Sequence, residues 1–345
     1  MKNKEYPSEE YCLLKSLEPL LNYKKSTRYP LGIGDDAAIR TSPGNETLII
    51  TADTMVERVH FSLDYMTLKE VGFKAMCVNL SDCAAMGARP DGALAQIVFP
   101  QNLSGRGTAA AMKSLYEGFY EACTAWKYPI IGGNLSKGPC WIIDITLMGS
   151  MEKATQPIRR TGLQSGDNLW VTGSPGSSAA GLAALKKWGK KVKRIKAYKN
   201  LVQTHVRPIP RLEIGLHVAQ NPQVHAMIDV SDGIAKECRT LSYDNRLGIL
   251  LESGLITFTP QMIALGEELR CSCRDWFLYG GEDYELLFGA SPDFNPGPII
   301  HKHGVGLTKI GAVSGRVKGV FFKHNNDTMK PVEARRGWDH LRKND

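Results

Sequence analysis

Apolar and polar positions divide the chain into stretches of helical and of alternating spacing. Behind a Ser-Glu-Glu start, SEEYCLLKSLEPLLN (residues 8–22) keeps its apolar residues at helical spacing, which predicts a short amphipathic helix. TLIITADTMV alternates and is rich in β-branched residues, predicting a strand from Thr47 to Ala52 with Asp53 at its C-terminal end. From Leu68 to Met86 the pattern turns helical behind a Thr67/Glu70 capping box, and Gly87 and Pro90 stop it. That helix presents Asn79 and Asp82 together on one face of an otherwise apolar VNLSDCAAMG. ALAQIVFP predicts a strand, SGRGTAAAMKSLYEGFYEACTAW a helix, YPIIGGNLSKGP a short strand running into a Gly-rich loop, and WIIDITLMGSM a further strand.

A Gln-Pro, Arg-Arg and Gly-bearing stretch between Met151 and Gly166 interrupts the pattern, and a domain boundary is expected there. The second half opens with strand NLWVTG, an SPG turn and an Ala-rich helix. AMIDVSDGIAKEC predicts a strand ending at Asp229 and Val230, then a helix from Ser231 or Asp232, and LYGGEDYELLFGAS a loop feeding a strand. The expected fold class is α/β with mixed α+β character. A length of 345 residues exceeds what one core usually supports, so two domains are expected, 1–150 and 151–345.

Composition narrows the class. At 43% hydrophobic and 23% charged residues the chain has the make-up of a globular enzyme. No run approaches the roughly 18 apolar residues of a membrane span, and MKNKEYPSEEYC lacks the apolar core of a signal peptide, so a cytoplasmic protein is expected. The eight cysteines are scattered without C-x-x-C spacing, arguing against a zinc site or a disulfide framework. The net charge of +8 hints at nucleic acid, but KKWGKKVKRIKAYK (Lys186 to Lys199) carries eight Lys or Arg and no acid, so one segment accounts for the excess. A solvated face is the reading of that run, and no nucleic-acid partner is expected.

Acids then stand out in Gly-rich or apolar settings: Asp35 and Asp36 in GIGDDAAI, Asp53, Asp82, Asp229, Asp232, Glu282 and Asp283. Like charges a few ångströms apart repel by about 1 kcal/mol in water and about 4 at an effective dielectric of 20, so gathering them requires cations. Basic residues are absent from GIGDDAA, TADT, NLSD and IDVSDG, and oxygen ligands without nitrogen or sulfur favour a hard ion such as Mg²⁺.

In order along nearly the whole chain, GIGDDAAI, TADTMVERVHF, KAMCVNLSDCAAMGARP, IIGGNLSKGP, VTGSPGSSAAGLAAL, MIDVSDGIAKE, GGEDYELLF and RRGWDHL resemble the thiamine-phosphate kinase family. Its superfamily also holds aminoimidazole ribonucleotide synthetase, selenophosphate synthetase and a hydrogenase maturation factor. The resemblance implies two α/β domains of the aminoimidazole ribonucleotide synthetase-like type, the first dimerising, and Mg²⁺-dependent transfer of the γ-phosphoryl of ATP to thiamine monophosphate. It implies a homodimer with each site where two domains and the neighbouring subunit meet. Position by position, Asp36, Thr51, Ala52, Asp53, Asp82, Asn134, Asp229 and Asp232 match metal positions. Gly133, Asn134, Arg160 and Ser231 match nucleotide contacts, and His60, Glu282 and Trp338 match positions that hold the thiamine phosphate. An indole face suits a flat cationic heterocycle, and a guanidinium suits phosphate oxygens.

Two positions depart from the family. Asn134 stands for the Asp of a Gly-Gly-Asp-Thr loop, and Ala52 for a Thr, both on the same expected metal, which implies weaker or altered binding of one ion. No protein nucleophile is expected. The alternative readings are another ATP-dependent synthetase of the superfamily, or a catalytically weak nucleotide-binding regulatory protein. The SPG turn lacks the GK[ST] of a Walker loop and reads as the start of a helix.

Overall fold

The computed structural model describes residues 7–21, 24–42, 46–151, 156–324, 328–333, 336–339 and 341. Asn22 of the first expected helix, residues 152–155 of the expected boundary stretch, and Arg335 and His340 of the terminal motif lie outside them. The first helix, α1 (Glu9–Leu17), begins at Ser8, whose hydroxyl accepts from Tyr11 N–H. Helix α2 (Leu68–Ala85) starts with the expected capping box, Thr67 and Glu70 satisfying each other's backbone N–H groups. Helix α3 (Gly105–Trp126) follows.

These helices accompany a five-stranded sheet of β1 (Ala38–Thr41), β2 (Thr47–Val56), β3 (Arg89–Pro100), β4 (Ile130–Gly138) and β5 (Ile142–Met151), ordered β1-β2-β5-β3-β4. Its pairs are antiparallel except β3–β4, which α3 joins by a crossover. A seven-stranded sheet follows, of β6 (Asn168–Thr172), β7 (Val224–Val230), β8 (Gly248–Glu252), β9 (Glu285–Ala290), β10 (Leu307–Ser314), β11 (Gly319–Lys323) and β12 (Met329–Pro331). Its order is β12-β11-β8-β10-β6-β9-β7, with only β8–β11 parallel. Around it lie α4 (Ser177–Trp188), α5 (Lys199–Val206), α6 (Leu212–Ala219), α7 (Ile234–Asn245), α8 (Pro260–Leu269), α9 (Cys273–Tyr279) and α10 (Gly297–His303). The mixed fold class expected from the pattern is what the chain adopts.

Helix α2 positions the site. Thirteen of its 18 residues are buried, so it is enclosed on every side rather than amphipathic. It packs on β2, β3 and β5 of the first sheet, on α3, α5 and α6, and on β7 and β9 of the second. The crossing with α3 is close enough to need glycine: a Cβ on Gly118 would lie 2.0 Å from Lys69 O, and one on Gly72 would lie 2.2 Å from Leu115 O. One apolar cluster therefore runs from Ile49 and Ile145 through Met76 and Leu80 to Met227 and Leu286.

Two local expectations change. Alternation continues past Ala52 through Met55, so Asp53 lies inside β2, paired with Ile145, and not at a strand end. GGN is not a loop either, since β4 runs unbroken through Gly133 and Asn134 as the edge strand beside β3.

Of GGEDYEL, Glu285 is structural: Arg211 bonds it bidentately, Nε and Nη2 each at 2.6 Å, and Thr172 Oγ1 donates to it at 2.6 Å. Glu285 is buried. Arg211→Ala would strand its charge and should destabilise the fold by about 3–5 kcal/mol in urea unfolding; a loss under 1 kcal/mol would contradict that role. The basic segment spans the end of α4 and the turns before α5, with Lys193 bonded to Glu70 and the other seven cations exposed. Among the described residues no helix is long and apolar enough to cross a membrane.

Candidate active site

Asp36 precedes β1, Asp82 lies on α2 and Asp229 lies near the end of β7, and one carboxylate oxygen of each comes within 4.8 Å of the others. Their elements enforce this: α2 sits between the sheets, and Ser81 on it donates to Asp229 Oδ2 at 2.7 Å. Thr51, on the side of β2 that faces α2, donates its hydroxyl to Asp82 Oδ2. The neighbouring Asp53 takes its backbone hydrogen bond from α2 itself, its N–H donating to Asn79 Oδ1 at 3.1 Å.

Part of the charge meets protein cations, one of them far off in sequence and one a single helical turn away. Arg160 Nε donates to Asp36 Oδ1 at 2.9 Å, its Nη2 bonds the same oxygen, and its backbone N–H reaches Asp35. Lys236, one turn into α7, bonds Asp232 at 2.7 Å. Among the described residues Asp82 and Asp229 pair with no cation, and Asp36 Oδ2 is buried without a partner.

The electrostatics record the shortage. Burial, then repulsion from Asp53, Asp229 and Asp36, raises Asp82 well above the usual carboxylate range. Burial and Asp36 do the same to Asp229. Asp53 is pushed up to about 6 by burial and by Asp232, Asp144 and Asp36, and Asp35 to about 7 by burial and Asp36. A set of hard oxygen donors with one orphaned buried oxygen and unbalanced negative charge fits a divalent Mg²⁺.

A cleft of about 510 Å³ opens beside this cluster, lined by Tyr11, Leu14, Ile33, Gly34, Asp35, Asp36, Thr51, Ala52 and Arg160. Ala52 points to the other face of the sheet from Thr51 and Asp53, because strand side chains alternate. Asn134 shares that outer face. Register pairs it with Gln96, Gln96 with Asp144, and Asp144 with Thr54, and its amide donates to Ser136 Oγ at 3.3 Å. Three strand spacings of about 4.8 Å separate β4 from β2, about 14 Å, so Asn134 and Ala52 of one chain do not meet. Gly133 has a backbone reason to be glycine: its φ is 156°, and a Cβ would lie 1.9 Å from Ala95 O.

Two of the three expected substrate residues meet. His60 and Trp338, from opposite ends of the chain, have ring centroids 6.2 Å apart. His60 Nδ1 accepts from Val56 N–H, which leaves the ring proton on Nε2. Glu282 has a φ of 64°, a left-handed conformation that side chains disfavour, and its N–H donates to Ser231 O at 2.6 Å. The GGED turn is thereby pinned on the end of β7, beside Asp229 and Asp232.

Several residues escaped the local reading. Buried Glu237, four residues past Gly233, accepts from Asp232 N–H at 2.9 Å, and burial with Asp232 pushes it to about 8. Its signal was an acid on the apolar side of IAKEC. Asp283 leaves the cluster altogether and caps α4, accepting from Gly176 and Ser178 N–H at 2.7 and 2.9 Å. A carboxylate thus fills the helix start after the SPG turn, as expected of a segment that is no phosphate loop.

Comparison with known proteins identifies the family. The sequence profile of AIR synthase related protein, N-terminal domain, matches residues 34–151. A thiamine-monophosphate kinase of Bacillus subtilis is 30% identical over 339 residues, 97% of this chain and 100% of its own. Among solved structures, AaThiL complexed with AMPPCP and TMP superposes with a TM-score of 0.81 at 29% identity, covering 99% of each chain. Thiamine monophosphate kinase from Aquifex aeolicus gives 0.76 at 28% identity, over 94% of this chain and 99% of that one. By sequence over 97% of its length and by fold, the chain belongs to the thiamine-monophosphate kinase family.

Proposed function

We propose that this chain phosphorylates thiamine monophosphate to thiamine diphosphate with ATP by direct in-line transfer, and that Asp36, Asp53, Asp82 and Asp229, with Thr51 and Asp232 beside them, would hold Mg²⁺. The observation that carries the reading is the convergence of Asp36, Asp82 and Asp229 from three elements, with too few cations to balance them. Mg²⁺ bound there would supply charge neutralisation for the phosphates. Arg160 tethers Asp36 and keeps further N–H donors for nucleotide phosphate, with Ser231 nearby on the β7 turn. His60, Trp338 and Glu282 orient the acceptor so that its terminal phosphate oxygen lies in line with the γ-phosphorus. A phosphate monoester is already largely ionised at neutral pH, its second pKa being about 6, so no strong base and no protein nucleophile is needed. Positioning and charge balance do the rest.

The test is a coupled ADP-release assay offering thiamine monophosphate, thiamine, aminoimidazole precursors and selenide in turn. Turnover with thiamine monophosphate alone is expected. ATP binding without that turnover would favour the regulatory reading instead.

We also propose a homodimer, with residues 1–150 and 151–345 as its two domains in each copy. Supporting it, the outer face of the first sheet carries half-buried Ile50, Leu94, Met148 and Ile142. A sheet face of that character suits a second sheet. The separation of Asn134 from its own carboxylates supports its serving, with Gly133, the cleft of the other copy. Leu94→Lys should convert dimer to monomer in sedimentation and reduce turnover; an unchanged dimer would place the contact elsewhere.

A further inference from the structure

Around Glu282 gather ionisable side chains that phosphoryl transfer itself does not call on. Lys74, on α2, is fully buried, and its Nζ lies 2.8 Å from Glu282 Oε1. His205, on α5, is enclosed as tightly, with Nδ1 3.1 Å from Ser178 Oγ and 3.6 Å from Glu282 Oε2. The Tyr65 ring stands 6.4 Å from that of His205. Burial, helped by the charges of Lys74 and Lys186, pushes His205 well below the ordinary histidine value, so it is neutral. The group therefore holds one anion and one cation.

Such an arrangement is costly unless it serves something. Among the described residues Lys74 Nζ lacks a well-aligned hydrogen-bond acceptor, and His205 Nε2 has no partner. Packing alone favours an apolar residue at an enclosed helix position. What the two flank is Glu282, whose backbone is already forced into a left-handed conformation. Its side chain keeps 24% of its surface open. Helix α2 sets the scale: Asp82 follows Lys74 by eight residues, about 12 Å at 1.5 Å per residue, close to the extended length of a thiamine phosphate. Asp82 addresses the phosphate end, which leaves Lys74 and Glu282 at the end that carries the base.

We propose that Lys74 is a positioning residue for substrate recognition: its ammonium holds one edge of the Glu282 carboxylate, turning the other toward the exocyclic amino group of the substrate's aminopyrimidine. The inference rests on the thiamine monophosphate reading above. An ionised carboxylate accepts from an amino group and has nothing to offer an oxo group, so the pair sets specificity as well as affinity.

Steady-state kinetics with thiamine monophosphate and with its 4-oxo analogue test this. The wild-type enzyme should prefer the amino substrate by at least about a hundredfold in kcat/KM. Lys74→Met should raise KM for thiamine monophosphate about tenfold or more and cut that preference to under about tenfold, with kcat and KM for ATP within about twofold. Glu282→Gln should raise that KM and cut that preference at least as far, and the double variant should be no worse in either than the poorer single. Wild-type KM and preference in Lys74→Met, or additive losses in the double variant, would overturn the proposal. If Lys74→Met does not fold, Lys74→Arg decides in its place: it keeps the charge and changes the reach, so the preference should fall partway, and an unchanged preference would overturn the proposal. A wild-type enzyme that uses thiamine monophosphate without discriminating overturns this inference alone. One that does not use it overturns the functional reading beneath it.

Discussion

Asp53→Ala should lower turnover of thiamine monophosphate by at least about a hundredfold, about 2.7 kcal/mol of barrier. Asp53 is not spent on the fold: its backbone N–H holds Asn79, a bond that the alanine variant keeps. Its carboxyl instead lies against Asp82 and is pushed up to about 6 by burial and by neighbouring acids, which marks it as waiting for a cation. Loss of the side chain therefore removes charge from the phosphate site and leaves β2 and α2 joined. Coupled assays at saturating ATP and metal measure it, and near-wild-type turnover would remove Asp53 from the site.

Asp82→Asn should separate stability from activity. In metal-free buffer at pH 8 it should stabilise the protein by about 1–2 kcal/mol, because it deletes one repelling charge and keeps an oxygen for Thr51 to donate to. Turnover should fall by about a hundredfold. The pH dependence has a definite sign. Asp53 and Asp35 titrate at about 6 and about 7 when folded, above the ordinary 3.8, so the folded protein holds more protons than the unfolded chain across that window. Metal-free stability should thus fall as pH rises from about 4 to about 7. Added Mg²⁺ should restore most of it, and more at pH 8 than at pH 5, since the ion competes with those protons. Urea unfolding with chelator and with Mg²⁺ checks both statements. Metal-free stability that rises over the same window would show the carboxylates to be balanced already.

Local signals made much of this legible. Thr67 and Glu70 announced α2, alternation announced β2 and β5, and Asn79 and Asp82 stood out because their surroundings, Ser81 apart, were apolar. What was missed depends on distance along the chain. The motif neighbourhoods held no cation, yet Arg160 reaches Asp36 from the stretch between the sheets, as Arg211 reaches Glu285. Glycines in IIGGN suggested a loop, whereas one of them is required by the close approach of β3 to β4. Lys74 gave no signal of its own, because sequence spacing does not tell which side of α2 a second sheet will cover.

The direct test of the account is anomalous scattering from crystals grown with Mn²⁺ and a non-hydrolysable ATP analogue. The account predicts metal within about 2 Å of oxygens from Asp36, Asp82 and Asp229, bridging to the nucleotide's phosphates. Manganese bound elsewhere, with those three carboxylates facing only protein, would contradict it.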